Sequence, residues 1–562
     1  MGKTKLELTW IGKDARPRLE PRILIEDQEK SYHAAQRMSK NDLFDNRLIF
    51  GDNLLALKAL EQEFSGKVDC IYIDPPYNTG TAFAHYDDGL EHSTWLTLMR
   101  ARLEILWNLL SPNGSFWISI DDDEMPYLRI LMDEIAGRDK FIAQNVWQKR
   151  YSRENREAIG DVHEYIIVYA KDPGAFKIRR NKVPPTKEQA KVYKNPNNDP
   201  KGRWRGIPMT AQEGHATPEQ FYEILTPSGK IHKPPKGRCW SLSRKTFEKL
   251  RAEGRIWFGK NGSSQPNVIR YLYEVEGMVP WTWWPSDEVG HTDEAKKEIH
   301  ALFGKADAFD TPKPERLIQR VINIATNPGD IILDSFAGSG TTGAVAHKMG
   351  RRWIMVELGD HCHTLILPRM QKVIDGIDKG GITQAVGWKG GGGFRYLGLG
   401  PSLIEEDRFG NPVISKKFNA AMLAEAMCKL MNYRYEPSDK HYWIHGQSTE
   451  NDFIYVTTQT LTREQLIKLS DEVGEKRSLL VCCGAFSGKA DDFTNLTLKK
   501  IPKAVLARCE WGKDDYSLEI ANLPMAPVEQ GNGNGASEQT SDRKSPRRNN
   551  GALAFFDMET NE

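Results

Sequence analysis

The sequence predicts an α/β fold with a mainly parallel sheet, on three observations. Short apolar runs of strand length, such as 68–73, alternate with stretches of helical periodicity, such as 93–110. Two of these runs end directly in loops rich in Pro or Gly, at the edge where open α/β sheets bind ligands. Hydrophobic residues make up 39% and charged residues 27%, a globular composition.

Taken in order, residues 1–45 are polar, with Pro17 and Pro21, and read as an extended N-terminal lead-in. Leu48-Ile49-Phe50 runs into Gly51-Asp52-Asn53, and 54–60 continues with helical spacing. The run 68–73 stops at Asp74 and reads as a buried strand. Trp95, Leu96, Met99, Leu103, Leu106 and Leu110 fall at helical spacing. Ser111-Pro112-Asn113-Gly114 is a turn, and 115–120 is a strand ending in Asp121-Asp122-Asp123. Residues 164–170 are strand-like again.

A Pro- and Gly-rich stretch without long periodicity then interrupts the pattern. It resumes with a helix over 315–325, a turn at Asn327-Pro328-Gly329-Asp330 and a strand over 331–333. A helix from near Thr341 and a strand over 353–356, ending at Glu357, follow. The run 389–394 (KGGGGF) marks a flexible boundary. Residues 400–525 read as a second α/β unit, with strands over 453–457 and 478–482. Residues 526–550 are polar and of low complexity, a disordered linker. The terminal peptide 551–562 turns apolar around Leu553-Ala554-Phe555-Phe556, as a docking peptide or a merely sticky end.

The 562 residues exceed one compact core and suggest three or four domains at roughly 100–200 residues each. No run approaches the ~18 apolar residues of a membrane-spanning helix, and the opening MGKTKLELTW has no signal-peptide core. Seven cysteines are scattered without a CxxC pair, so no metal site or disulfide framework is expected. A cytoplasmic protein is the expectation.

The formal net charge is only +1, which argues against a polyanion partner if the charge is evenly spread. It is not. Residues 171–270 hold 22 Lys and Arg against 8 Asp and Glu, a net of +14, and the remainder carries −13. Trp204, Trp240 and Trp257 lie in this block, with Trp147 before it and Trp281, Trp283 and Trp284 after it. Basic residues interleaved with aromatics suit phosphates and exposed bases. A solvated basic subdomain with core tryptophans is the alternative.

Two motifs carry chemistry. Asp334-Ser335-Phe336-Ala337-Gly338-Ser339-Gly340-Thr341-Thr342-Gly343 joins an expected strand to an expected helix. Glycines there let backbone N–H groups approach a ligand at a helix N-terminus. Glu357, at the end of the next strand, can accept both hydroxyls of a ribose. No lysine follows the glycines, which disfavours a P-loop. The second motif is Asp74-Pro75-Pro76-Tyr77, directly after a strand. The prolines offer no N–H, so the loop presents acceptors, the Asp74 carboxylate and the Pro75 carbonyl, to an exocyclic amine. Tyr77 offers an aromatic face to a base.

Together these motifs resemble the amino-methyltransferases of DNA that use S-adenosylmethionine. Their order, with the basic block between them, is similar to the circularly permuted beta group. His92-Ser93-x-Trp95-Leu96, Leu109-Leu110-Ser111-x-x-Gly114, Ile118-Ser119-Ile120-Asp121-Asp122, His163-Glu164-Tyr165 and Thr311-Pro312-Lys313-Pro314-Glu315 look like the modification subunits of type III restriction–modification systems. The resemblance covers roughly residues 40–375, and Ser335 departs from the family's usual Pro.

The resemblance implies a Rossmann-like S-adenosylmethionine-dependent methyltransferase fold, circularly permuted. Its catalytic half would be 46–170, an inserted target-recognition region 171–285 and its cofactor-binding half 300–385, followed by the C-terminal α/β domain. It implies that Asp334, Phe336, Gly338 and Gly340 line the methionine part of the cofactor and Glu357 holds the ribose. Asp52 would receive the adenine amine, with Thr311 and Lys313 near the methionine carboxylate. Asp74, Pro75, Pro76 and Tyr77 would hold the target base. The implied activity is transfer of a methyl group to the N6 amine of adenine in double-stranded DNA after base flipping. Implied partners are a second copy of the chain and a separate restriction or helicase subunit. N4-cytosine methylation, a solitary DNA methyltransferase, an RNA methyltransferase, a non-catalytic nucleic-acid-binding subunit and an NAD-dependent dehydrogenase are the competing readings. The last gives no role to Asp74–Tyr77 or to the basic block.

Overall fold

A computed structural model describes residues 7–14, 16–77, 92–151, 159–185, 190–275, 277–304, 309, 311–489, 492–501, 503–506 and 513–516. The expected linker over 526–550 and the terminal peptide 551–562 lie outside the described residues.

One large sheet organises the chain. Its strands are β1 (Leu24–Glu26), β2 (Tyr32–His33), β3 (Asn46–Phe50), β4 (Val68–Ile73), β5 (Leu110–Ile120), β6 (Phe141–Gln148), β7 (His163–Ala170), β8 (Trp283–Trp284), β9 (Ile331–Asp334), β10 (Arg352–Glu357) and β11 (Gly393–Leu399). Their spatial order is β1-β11-β3-β10-β9-β4-β5-β7-β6-β8, with β2 also paired to β11. The six strands from β11 to β5 are parallel. Strand β7 runs against both of its neighbours. The Ser111–Gly114 turn is retained as a register jump inside β5, from Val68↔Leu110 to Cys70↔Ser115.

Period-2 alternation buries both faces of this sheet. Ile71, Ile73 and Ile118 meet helices α1 (Asn53–Phe64), α2 (His92–Leu109) and α3 (Met125–Ile135). Cys70, Tyr72 and Met355 face the other way, onto α4 (Glu315–Ala325), α5 (Thr341–Lys348) and α6 (Leu367–Ile374). Helix α4 begins at Glu315 and ends at Ala325, as its apolar spacing predicts.

Strand order reverses between β9 and β4. From β9 the sheet grows through β10 and β3, and from β4 it grows through β5. The loops that follow β9 and β4 therefore diverge and leave a crevice between them.

Two sequence expectations need correction. Residues 1–45 are not only a lead-in, because β1 and β2 extend the sheet through β11. The glycine run is not a flexible boundary: Gly390, Gly391 and Gly392 are buried, at φ 102°, 117° and 78°. A Cβ on Gly392 would lie 2.6 Å from the Leu43 carbonyl oxygen. Glycine is there for close approach and left-handed backbone, and it delivers β11 into the sheet. The segment expected to end at 385 thus continues in the same sheet to Leu399.

The block 171–270 folds into short strands around small cores. The largest is a three-stranded sheet of Trp204–Pro208, Asn267–Tyr271 and Ile256–Trp257. Trp204 and Trp240 are 3% and 0% exposed, so those two serve packing, as the alternative reading held. Its cations remain outside: Lys201, Arg203, Arg205, Lys236, Arg238 and Arg270 are all exposed. The insert returns to the main sheet at β8, where Trp284 pairs with Trp147.

The C-terminal unit has its own sheet, β12 (Arg434–Tyr435), β13 (Gly446–Thr449), β14 (Asp452–Val456), β15 (Ser478–Cys483) and β16 (Leu496–Lys500), in that order. Helices α7 (Ala420–Met431) and α8 (Arg463–Val473) cover its opposite faces. No described helix is long and apolar enough to cross a membrane.

The buried glycine connector gives a prediction. Gly392→Ala should destabilise the protein by about 1–2 kcal/mol from the left-handed backbone alone, read as a lowered urea midpoint. An unchanged midpoint would restore the flexible-boundary reading.

Candidate active site at the sheet switch point

The crevice brings together the two motifs that the chain keeps 260 residues apart. Asp74 follows the last residue of β4, and Asp334 closes β9. The prolines of Asp74-Pro75-Pro76-Tyr77 restrict the loop, and α2 anchors it: the Trp95 indole N–H donates to the Pro76 carbonyl at 2.6 Å.

Four side chains converge there. The Lys313 ammonium donates to both Asp74 oxygens, at 2.8 and 2.7 Å, and to the Tyr77 hydroxyl oxygen at 2.9 Å. Tyr77 Oη lies 2.6 Å from Asp74 Oδ1 and 3.2 Å from Glu164 Oε2, and can donate its one proton to either. Glu164 Oε2 also lies 3.4 Å from Lys313, and its other oxygen lies 3.6 Å from Lys149. Burial, with Asp74 and Glu164 alongside, pushes the Tyr77 hydroxyl well above its ordinary pKa, so it stays a neutral donor. Burial alone would lower the Lys313 pKa, but Asp74 and Glu164 outweigh it and the pKa rises.

These groups form one wall of a cleft of about 420 Å³. Asp121, Asp122, Asp123 and Trp147 line it as well. The volume is in the range of small-molecule sites. Trp147 is held by its indole N–H donating to the Gly290 carbonyl at 2.9 Å.

A second, narrow cleft of about 30 Å³ lies over the glycine loop and shares Asp74, Thr311, Pro312 and Lys313 with the first. Asp334, Phe336 and Gly338 line it. Asp334 accepts from the Thr342 hydroxyl at 2.6 Å and the Phe336 N–H at 3.0 Å, while burial pushes its pKa well up. Gly338 and Gly340 take φ of 52° and 75°, and a Cβ on Gly340 would lie 2.9 Å from Ile366. Glu357 binds the loop from behind, accepting from the Gly338 N–H at 2.8 Å and from the N–H groups of Leu358 and Gly359 at 2.9 and 3.0 Å.

Asp52 is at the same sheet edge but lines neither cleft. Its carboxylate caps α1 through Leu54 and Leu55, pairs with Arg102 at 3.3 Å and accepts from the Tyr516 N–H at 3.0 Å. It is 1% exposed, so an amine ligand would have to displace one of these donors.

Sequence reasoning gave no role to Glu164, Lys149 or Trp95, and placed Trp147 with the basic block. Glu164 is the second residue of β7, the reversed strand, so its side chain comes to the same edge as the ends of the parallel strands. Its signal was the apolar run that follows it, but strand direction has no signature in that run.

A buried ion cluster steadies the glycine loop and the segment that carries Lys313. Lys348, 0% exposed, contacts Glu315 at 2.8 Å and Asp378 at 2.7 Å, and Arg369 reaches Glu315 at 3.0 Å. Arg369 also donates to the Ser339 carbonyl at 3.0 Å and the Thr341 hydroxyl at 2.9 Å. Glu315 thereby ties the segment carrying Lys313 to the glycine loop.

Burial and neighbouring Asp123 push the Asp121 carboxyl up to about 7. In the unfolded chain it ionises near pH 4, so its ionisation opposes folding as pH climbs from about 4 to about 7. Asp121→Asn should therefore lose less stability between about pH 5 and about pH 8 than the parent protein. Urea midpoints at the two pH values measure this, and equal losses would refute it.

Residues 68–367, 300 of the 562, match the DNA methylase family model. The chain is 34% identical over 372 residues to the StyLTI Mod subunit, a type III restriction–modification enzyme of Salmonella typhimurium, covering 60% of this chain and 55% of that one. It is 30% identical over 354 residues to the type II methyltransferase M.KpnI of Klebsiella pneumoniae, covering 58% and 81%. It is 25% identical over 326 residues to the DNA adenine methyltransferase YhdJ of Escherichia coli, covering 58% and 82%. The chain thus spans about half the length of the type III relative it matches. The family match covers more than half of the sequence and includes both motifs of the crevice, so this protein belongs to the DNA methylase family.

Proposed function

We propose that this chain transfers a methyl group from S-adenosylmethionine to the N6 amine of adenine in duplex DNA. The observation that carries this reading is the Asp74 carboxylate, set where a base-sized cleft meets the narrow cleft over the glycine loop. The donor set fits the cofactor. Asp334 and Lys313 would offer a carboxylate and an ammonium to an amino-acid moiety, and Glu357 could take a ribose hydroxyl beside the backbone N–H groups of Gly338, Leu358 and Gly359 that it already accepts.

When bound, the cofactor supplies a methyl already activated on a sulfonium, so the protein's task is to position the amine. Orientation of this kind can lower a barrier by roughly 7–11 kcal/mol. Asp74 and the Pro75 carbonyl accept the two N–H groups of the amine, and Asp74 or water takes the proton that is lost. Extruding the base costs a few kcal/mol. Stacking on the aromatic face of Tyr77 returns about 1–3 kcal/mol. The choice of adenine over cytosine rests on Asp in the first position of the loop and on the adenine-specific relative.

A type III-like modification subunit is the system that the 34% identical relative supports. A separate restriction subunit, and a second copy of the chain, would be its partners. The exposed cations of 171–270 would bear the DNA backbone and contribute to target recognition.

Three outcomes are expected. Modification-sensitive sequencing of DNA from cells with and without the protein should show N6-methyladenine at one motif. Methylated cytosine, or label transferred only to RNA, would replace this reading. Asp74→Ala should cut transfer by about 10²-fold or more while cofactor binding persists; loss of cofactor binding would mean Asp74 is misassigned. Neutralising Arg203, Arg205, Lys236 and Arg238 together should lower the slope of log K against log salt by about 0.9 per lost phosphate contact. An unchanged slope would make these residues ordinary surface.

A further inference from the structure

Lys313 has two acids to serve and one ammonium to serve them with. It bridges both oxygens of Asp74, at 2.8 and 2.7 Å, and its side chain is only 10% exposed. An ammonium bridging a carboxylate stands where an incoming amine must approach. A neutral amine is a weaker partner for a half-buried carboxylate than an ammonium, so a base does not displace Lys313 unaided. The same side chain lines the narrow cleft, where it is the only Lys or Arg among the described lining residues. That cleft holds about 30 Å³, room for little more than a water. A carboxylate-bearing ligand entering it needs both the space and the charge of Lys313.

We propose that Lys313 is a latch that keeps Asp74 blocked until a cofactor carboxylate draws the ammonium away, so that the base site opens only in the cofactor-bound protein. This rests on the function proposed above. The surroundings suit a two-position lysine. Glu164 keeps a share of Lys149, at 3.6 Å beside that lysine's 2.7 Å contact with Asp161, when Lys313 leaves, so Asp74 is the acid left more open to an amine. The Tyr77 hydroxyl, 2.6 Å from Asp74, is a donor that remains on that carboxylate. Pro312 and Pro314 restrict the backbone on either side of Lys313, so the movement is one of its side-chain torsions.

Binding linkage supplies the test. If the cofactor carboxylate must take Lys313 from Asp74, neutralising Asp74 should favour that cofactor. Calorimetry on the full chain would compare S-adenosylmethionine with its decarboxylated analogue, which keeps the sulfonium and the amine. Asp74→Asn should bind S-adenosylmethionine about tenfold more tightly than the parent protein, and the analogue with unchanged affinity. Lys313→Met should weaken S-adenosylmethionine binding about tenfold or more and leave the analogue unaffected. Unchanged or weaker S-adenosylmethionine binding by Asp74→Asn, or an equal gain for the analogue, would overturn the latch. Thermal melts of both variants confirm folding, and a variant that fails to fold leaves the other to decide. Failure of the parent protein to bind S-adenosylmethionine would sink the methyltransferase reading and the latch with it. Binding and methylation of DNA without the linkage would sink the latch alone.

Discussion

The site exists because β4 pairs with β9. Cys70 and Ile71 lie against Ile332 and Leu333, and this short parallel register joins segments some 260 residues apart. Everything chemical hangs from its C-terminal edge, with Asp74 off one strand and Asp334 off its neighbour. Closing so long a loop is less costly than it looks, since each doubling of length adds only about 0.6 kcal/mol. A basic insert can therefore sit between the halves without preventing them from meeting. The six parallel strands, buried on both faces, supply the apolar area that offsets the closure.

Pairing alone would leave the loops loose. Glu315 prevents this, because Lys348 and Arg369 hold it within buried contacts and Arg369 also grips the glycine loop. A fully buried set of ions is weak evidence for stability, since desolvation consumes most of the Coulomb gain. Removing one member is another matter and costs about 3–5 kcal/mol, because it strands a charge. The cluster therefore acts on geometry more than on stability: it permits one mutual placement of Lys313 and the glycines and penalises others. In the function proposed above, placement is what transfer of a methyl from an activated donor would demand of the protein.

The parts legible in the sequence were those that periodicity or covalent chemistry dictates. Val68–Ile73, the helix from Glu315 to Ala325 and the strand ending at Glu357 are buried on regular spacings, and Pro and Gly punctuate their ends. Strand β6 escaped because most of Phe141–Gln148 is only half-buried, so its alternation is blurred. Strands β1, β2 and β11 depend on one another for pairing, which no local window contains. The glycine run misled because a tight buried crossing and a loose linker have the same composition. In the site, Asp74 and Asp334 were readable from their motifs. Glu164 was not, because its position follows from the reversed direction of β7.

The corrected tryptophans change how the charge pattern works. With Trp204 and Trp240 in the core, the insert presents its cations, and exposed aromatic faces remain only toward its end, at Tyr273, Trp281 and Trp283 among its described tyrosines and tryptophans. The wide cleft is the opposite, with Asp74, Asp121, Asp122, Asp123, Asp161 and Glu164 outnumbering Lys149, Arg150 and Lys313. A polyanion is repelled by such a wall, and the insert's charge is screened over about 8 Å at physiological salt. In the proposed function the two surfaces would therefore meet different parts of one ligand. In the proposed function phosphates would lie on the insert, and a neutral base with amine hydrogens to donate would enter the acidic cleft. The near-zero total charge is the sum of a basic insert and an acidic remainder. Extruding the base would then serve electrostatics as well as sterics, because it would separate the amine from the phosphates that the insert holds.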